Sequence, residues 1–215
     1  IRFHKAMKQR NHLLKQRSSH TIDIWEKQMA VSGAYLIEKR KALLETITPS
    51  LTSLVNQLSE GWDAMGTSYQ SSHSQNVSAG PLEAQLLHSW NTMRAKEMVF
   101  GTTLTGPHRD DLHFLLKDRP ARIFASEGQK KTLAISLRFV QWQTLKEMLG
   151  ASPLLSLDDF GAHLDDHRHQ ILKKHLDSFG QVFITLPMLE AEHIAFPSSH
   201  HIHIENGREK KKKII

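Results

Sequence analysis

The pattern that most restricts how this chain can fold lies between residues 153 and 186. An apolar run, Pro153-Leu154-Leu155-Ser156-Leu157, precedes a helical stretch expected from about Asp166 to Phe179 and closed by Gly180. A second apolar run, 181–186, reads QVFITL. Short apolar runs that alternate with helices predict a parallel sheet with helices packed over it, and so an α/β architecture.

In an open α/β sheet, ligands sit beyond the carboxyl ends of the strands. The first run ends there in Asp158 and Asp159, and a second acidic pair, Asp165 and Asp166, follows. Carboxylates held together repel unless a cation sits among them, so a metal-bound phosphate is the expected occupant. A hydrophobic strand ending in an acid is the Walker B arrangement. There the first acid, Asp158, holds Mg²⁺, usually through water, and Asp159 orients or deprotonates the water that attacks the γ-phosphate. One such acid is a weak signal, because helix caps produce it constantly. Two successive pairs are more telling, with Asp166 read as the start of its helix.

A second element points to an anion. Ser126 is placed to cap a helix whose first turn, Glu127-Gly128-Gln129, presents backbone N–H groups, and Gly128 lets another backbone approach closely. Such a terminus binds phosphate.

Composition bounds the rest. In 215 residues, 39% hydrophobic content suffices for a real core, as one large domain or a domain with an appendage. Lysine and arginine number 28 against 22 acids, with 15 histidines and a formal net charge of +6, which favours a polyanionic partner such as nucleic acid. The absence of cysteine excludes disulfides and thiolate zinc sites and fits a reducing compartment. No apolar stretch reaches the roughly 18 residues of a membrane span, and no signal peptide pattern opens the chain, so a cytoplasmic protein without membrane contact is expected. The opening IRFHKAMKQR lacks an initiator methionine and is already in helical rhythm, which suggests that a longer protein extends before it.

Residues 1–100 read as an all-helical arm. Residues 1–17 form a helix with a cationic face of Arg2, Lys5, Lys8, Arg10, Lys15 and Arg17. This is either a solvated surface or a DNA-facing one. A long amphipathic helix runs from Asp23 to Ile47, is stopped or kinked at Pro49, and its stripe resumes from Leu51 to Trp62. Residues 66–80, GTSYQSSHSQNVSAG, read as an exposed loop, the mobile serine-rich part of the arm at about 63–80. Pro81 opens the next helix, striped by Leu82, Leu86, Trp90 and Met93. The tryptophans are read as packing residues.

Residues 101–207 read as the α/β lobe. TTLTG and LHFLL are expected strands around a turn at Gly106-Pro107, and ARIF another. The helix from Glu127 to Leu149 carries Leu133, Leu137, Val140, Leu145 and Met148 on one face, with Gly150 as terminator. A last strand, HIHIE, turns at Asn206-Gly207. Residues 208–215 form a basic tail, with Arg208 and Lys210 to Lys213 adding nonspecific attraction to phosphate.

Several of these segments together resemble the RecF family, the ABC-type ATPases of bacterial recombinational DNA repair. ASEGQKKTLAISL at 125–137 is similar to the family's signature motif, and LLSLDDFGAHLD at 154–165 to its Walker B and D-loop. TGPHRDDL at 105–112 resembles the re-entry from arm to ATPase lobe, and MKQRNHLLK at 7–15 the start of the arm. QVFIT and ENGR fit the last strands.

The resemblance implies the C-terminal part of an ABC-type P-loop ATPase core with an all-helical arm. It further implies an ATP-dependent protein of replication, repair and the SOS response that binds single-stranded, double-stranded and gapped DNA. Such a protein works with RecO and RecR to place RecA. Its cofactors would be ATP and Mg²⁺, held by an ATP-dependent homodimer. Asp158 would be the Mg²⁺ ligand and Asp159 the catalytic base. Ser126, Gly128 and Gln129 would contact the ATP of a second subunit, Asp165 would reach across the dimer, and Thr185 would sit near the γ-phosphate as a switch residue. The resemblance assigns no DNA-contacting residues.

The chain departs from the family's pattern in two places. The D-loop reads Ala162-His163-Leu164-Asp165, without the usual serine and glutamate, and Glu97 stands where aspartate is commoner. No G-x-x-x-x-G-K-[ST] phosphate loop is present either; GQKKT at 128–132 imitates only its tail. The expected consequence is that the 215-residue chain neither binds ATP tightly nor hydrolyses it, while a longer parent is a slow ATPase. Strands left without neighbours would also expose an edge and lower solubility.

Rival readings follow from the same residues. The four aspartates could form a metal-dependent nuclease or phosphotransfer site. The helices could belong to a structural protein of the SMC type, although the arm is short and interrupted for a coiled coil. His167 with His169, or His200, His201 and His203, could bind metal, though no carboxylate completes a set. His108, Arg109, Asp110 and Asp111 form either an ion-pair network or a nucleotide or DNA contact.

Overall fold

The computed structural model of the chain describes residues 1–59, 61, 64–72, 80–158, 166–176, 178–186, 200, 202–205 and 207–209. Its spine is a 37-residue helix, α2 (Ile22–Leu58), which at 1.5 Å per residue is about 55 Å long. Helix α1 (Arg2–Lys15) lies against its first half. Pro49 sits inside α2 and does not end it. Proline removes one N–H from the ladder, yet Leu51, Leu54, Val55 and Leu58 beyond it are buried, and that burial carries the helix onward.

The serine-rich segment is not wholly a loop. Its first residues belong to a strand, β1 (Met65–Gln70), which pairs antiparallel with β2 (Asp111–Leu116) from Met65↔Leu116 to Gln70↔Asp111. Met65, Thr67 and Tyr69 point inward, while Ser68 and Gln70 are exposed. The period of two is present but is written in polar letters, which hides it from a hydrophobicity reading. Residues 73–79 lie outside the described residues, as does Trp62.

Helix α3 (Leu82–Phe100) follows and ends at Gly101, whose φ of 65° suits glycine. The expected strand at 102–105 does not form. The Thr103 N–H donates to Asn11 Oδ1 at 2.9 Å and the Leu104 N–H to Glu97 Oε1 at 2.6 Å, so side chains take the backbone donors that a ladder would have used. ARIF is not a strand either. After β3 (Arg119–Pro120), which pairs with the end of β2, comes the single turn α4 (Ala121–Phe124). Pro120 enters it with φ −55°, and the Ala125 N–H closes the turn on the Ala121 carbonyl at 3.1 Å.

Helix α5 (Glu127–Leu149) starts and stops where the sequence places it, at Ser126 and Gly150. Its buried face differs from the expected one. It runs through Thr132, Leu133, Ser136, Phe139, Val140 and Trp142, whereas Leu145 and Met148 are exposed. Two small polar residues complete the stripe, so a reading that follows large apolar residues is turned towards solvent near the end.

Strand β4 (Leu155–Leu157) pairs parallel with β5 (Val182–Ile184) in the register Leu155↔Val182 to Leu157↔Ile184, with α6 (Asp166–Leu176) between them in sequence. The helix ends before the expected Phe179. The basic tail begins as structure. Arg208–Glu209, β7, pairs antiparallel with β6 (Ile204–Glu205) around Gly207, whose φ is 74°. Residues 210–215 and Asn206 lie outside the described residues.

Three buried clusters lie along α2. The arm cluster joins Phe3 and Ala6 to Met29, Ala30, Ala34 and Ile37 of α2 and to Leu86 and Trp90 of α3. The middle cluster packs Leu44, Ile47, Leu51 and Val55 on Met65, Leu116, Leu133 and Val140. The last sets Leu54 and Leu58 against Phe139, Trp142, Leu155, Leu157, Leu172 and Leu176. One helix therefore links the arm to the parallel strands. Among the described residues, no helix is long and apolar enough to cross a membrane.

Candidate functional site

Leu155 and Leu157 of β4 turn inward onto α5 and α6, and Ser156 between them is exposed. The next residue, Asp158, leaves the sheet at its carboxyl edge and is solvent-exposed. The neighbouring strand ends at the same level: the Thr185 N–H donates to the Leu157 carbonyl at 3.0 Å, and the Thr185 hydroxyl donates to Asp158 Oδ1. Two of the predicted site residues, 27 positions apart in sequence, thus meet at the carboxyl ends of adjacent parallel strands. A carboxylate beside a hydroxyl is an all-oxygen donor pair, the kind that suits Mg²⁺. Asp159 and Asp165 lie outside the described residues, as does the Ala162-His163-Leu164 stretch.

The amino end of α5 is a complete capping box. The Gln129 N–H donates to Ser126 Oγ at 3.2 Å, and the Ser126 N–H donates to Gln129 Oε1 at 2.8 Å. Gly128, in the first helical turn, has a backbone N–H without an acceptor inside the helix. Sequence reasoning passed over the cations around this terminus. Arg119 and Arg122 are exposed just before it, and Lys130 pairs with Glu127 Oε1 at 2.9 Å just after. The signal was available as basic residues flanking the cap. Replacing Ser126 with alanine is expected to cost about 1 kcal/mol of stability through the lost cap. Urea unfolding of the two proteins checks this.

Ser126 is engaged with Gln129, and Asp158 with Thr185.

The GPHRDD cluster divides by role. Asp110 is a structural acceptor. Its Oδ2 receives the Tyr69 hydroxyl at 2.6 Å, and its Oδ1 receives the Ser72 N–H and hydroxyl, each at 2.7 Å. Burial first, and then this carboxylate, push the Tyr69 phenol up to about 12. Gly106 donates its N–H to Ser72 Oγ at 2.8 Å, so the turn is clamped to the end of β1. His108 Nε2 lies 3.1 Å from the Thr103 carbonyl, and partial burial holds this imidazole below its usual value. Arg109 and Asp111 are exposed.

The arm conceals a larger network. Arg10, read from the sequence as part of a cationic face, instead points inward and is fully buried. It donates from Nε and Nη2 to Glu26 Oε1 at 3.0 and 2.9 Å and from Nη1 to Thr103 Oγ1 at 2.9 Å, and its Nη2 lies 2.6 Å from Glu97 Oε2. Glu26 also receives Arg94 at 2.5 Å. Glu97 therefore joins α1 to the segment after α3, since its other oxygen accepts from the Leu104 N–H.

Among the described residues, no group of three or more histidines or acids could hold a metal. His201 and the His169 side chain lie outside those residues.

A parallel β-α-β unit with an acid at its carboxyl edge, a capped and cation-flanked helix, and a helical arm on one spine define the class: the α/β core of an ABC-type ATPase with its arm. No protein-family model matches the chain. Individual proteins do match. The DNA replication and repair protein RecF of Protochlamydia amoebophila is 38% identical over 185 residues, 86% of this chain and 52% of that protein. RecF of Geobacter metallireducens is 33% identical over 209 residues, covering 95% and 57% respectively. Among solved structures, the recombination mediator protein RecF with ATP, from the RecFOR pathway, superposes with a TM-score of 0.74 at 26% identity over 86% of this chain and 51% of that one. The chain belongs to the RecF family. It spans about half the length of the curated relatives it matches.

Proposed function

We propose that this chain forms part of an ATP-dependent DNA-binding protein of recombinational repair and replication. In that reading it acts in the cytoplasm on single-stranded, double-stranded and gapped DNA, and works with RecO and RecR to load RecA. The observation that carries the reading is the pairing of Asp158 with Thr185 at the carboxyl edge of β4 and β5. The relatives, which are DNA replication and repair proteins, and the ATP-bound solved neighbour support it.

Magnesium and ATP supply the cation and the phosphoanhydride bond. Asp158 would hold the cation through its carboxylate, and the Thr185 hydroxyl fixes the orientation of that carboxylate at Oδ1. Asp159 would take the proton of the attacking water. In a homodimer, the Ser126 cap of the second copy, with the Gly128 N–H and Gln129, would face the triphosphate, and Asp165 would reach across to the partner's site. Ser126 and Gln129 are bonded to each other here, so closure would exchange their mutual bonds for bonds to phosphate oxygens.

Phosphate release tests the reading. The chain alone is expected to be inactive, because it carries no glycine-rich phosphate loop. Joined to the rest of a RecF-length protein, it is expected to turn over slowly with Mg²⁺. Robust turnover by the 215-residue chain alone would contradict this assignment of the site.

A further inference from the structure

The outward face of α1 is charged with one sign only. At 100° per residue, Arg2, Lys5, Lys8, His12 and Lys15 fall within an arc of about 140°, and the buried residues Phe3, Ala6, Arg10 and Leu14 occupy the opposite side. The five outward residues are all exposed. Residues 1–22 contain no aspartate or glutamate. Asp23, Glu26 and Glu97 are engaged by Arg94 and Arg10. Among the described residues, none of Arg2, Lys5, Lys8, Lys15 and Arg17 forms an ion pair.

We infer that this face of α1 is a contact surface for the sugar-phosphate backbone of double-stranded DNA. The row is straight and about 20 Å long, and its helix is locked to α2 and α3 by the buried Arg10, so the cations are held in line rather than on a frayed arm. A duplex presents one phosphate charge per about 1.7 Å of axis, and each neutralised phosphate releases counterions. Of the five outward residues none is phenylalanine, tyrosine or tryptophan, the large rings on which successive unpaired bases stack. The contact is therefore one with backbone charge, independent of sequence.

This inference rests on the nucleic-acid reading above, and one experiment separates the two. Fluorescence anisotropy of a labelled 24-base-pair duplex is measured from 50 to 200 mM salt, with ATP and Mg²⁺ present, for three versions of a RecF-length protein that carries this chain. These are the unaltered protein, a variant with Arg2→Ala, Lys5→Ala and Lys8→Ala, and an equal-charge control with Lys39→Ala, Arg138→Ala and Lys174→Ala. All six positions are exposed on helices, and circular dichroism checks that the variants fold. The α1 variant should bind at least about tenfold more weakly at 100 mM salt, with a log-log salt slope shallower by about 2 to 3. The control should keep its slope within about 1 of the unaltered protein. Equal losses in variant and control, or no loss in either, would overturn the assignment of the face while leaving the nucleic-acid reading intact. If the unaltered protein does not bind duplex at 50 mM salt, both fall; binding instead to anionic phosphatidylserine vesicles would point to a membrane partner.

Discussion

Replacing Arg10 with methionine is expected to destabilise the protein by about 3–5 kcal/mol. Methionine keeps most of the buried stem but removes the guanidinium that faces two carboxylates, Glu26 and Glu97, whose side chains are 3% and 0% exposed. Taking away the shared cation leaves Glu97 buried without its ion pair, because its other oxygen has only the Leu104 N–H. Glu26 keeps Arg94, so most of the loss falls on Glu97. In a chain of this size the loss corresponds to a fall in Tm of about 10 °C. A companion change, Lys8→Met on the exposed side of the same helix, should stay within about 0.5 kcal/mol. Thermal and urea unfolding of both variants check this. A change below about 1 kcal/mol for Arg10→Met would mean that the arm is held by its apolar cluster alone.

Asp158→Ala is expected to lower ATP hydrolysis at least about a hundredfold in a protein of the relatives' length, since a metal-bound carboxylate contributes several kcal/mol to stabilising transition-state charge. Asp158 is exposed and its described partner is the Thr185 hydroxyl, so the same change should leave stability within about 0.5 kcal/mol. That split distinguishes a catalytic carboxylate from a structural one. Thr185→Val removes the hydroxyl that orients Asp158 and should cost less, about tenfold. Steady-state phosphate release beside a melting curve reads both quantities. A variant that unfolds without a specific loss of turnover would place Asp158 in the fold and not in the chemistry.

Much of this architecture is written plainly in the residues. The parallel pair, the helix between its strands, and both ends of α5 follow from apolar runs, Ser126 and Gly150, because those signals are local. β1 was hidden because its inward positions include Thr67 and Tyr69, and a strand of mixed polarity is recognised only through its partner, β2. The turn at ARIF is set by the adjacent Pro120, and the irregular path at Thr103 by side chains of Glu97, seven residues before Leu104, and of Asn11, 92 residues before Thr103. Arg10 shows the same limit at a single residue. A cation on an amphipathic helix is read as solvated until its partners, Glu26 and Glu97, are found in space. For the site, Asp158 and Ser126 were visible as motifs. The contact of Asp158 with Thr185 needed the parallel register, whereas the cations beside Ser126 are legible as basic residues flanking the cap.

In the proposed dimer one Mg²⁺-nucleotide would be shared by Asp158 of one copy and the Ser126 helix of another. Mixing two inactive variants of a RecF-length protein, Asp158→Ala and Ser126→Arg, tests this directly. If the site is shared, each mixed dimer regains one intact site, from the unaltered Asp158 of one copy and the unaltered Ser126 of the other. An equimolar mixture should then recover about a quarter of the unaltered rate of phosphate release. Activity no higher than that of either variant alone would show that the two groups act within a single copy or not together at all, and would contradict the shared site.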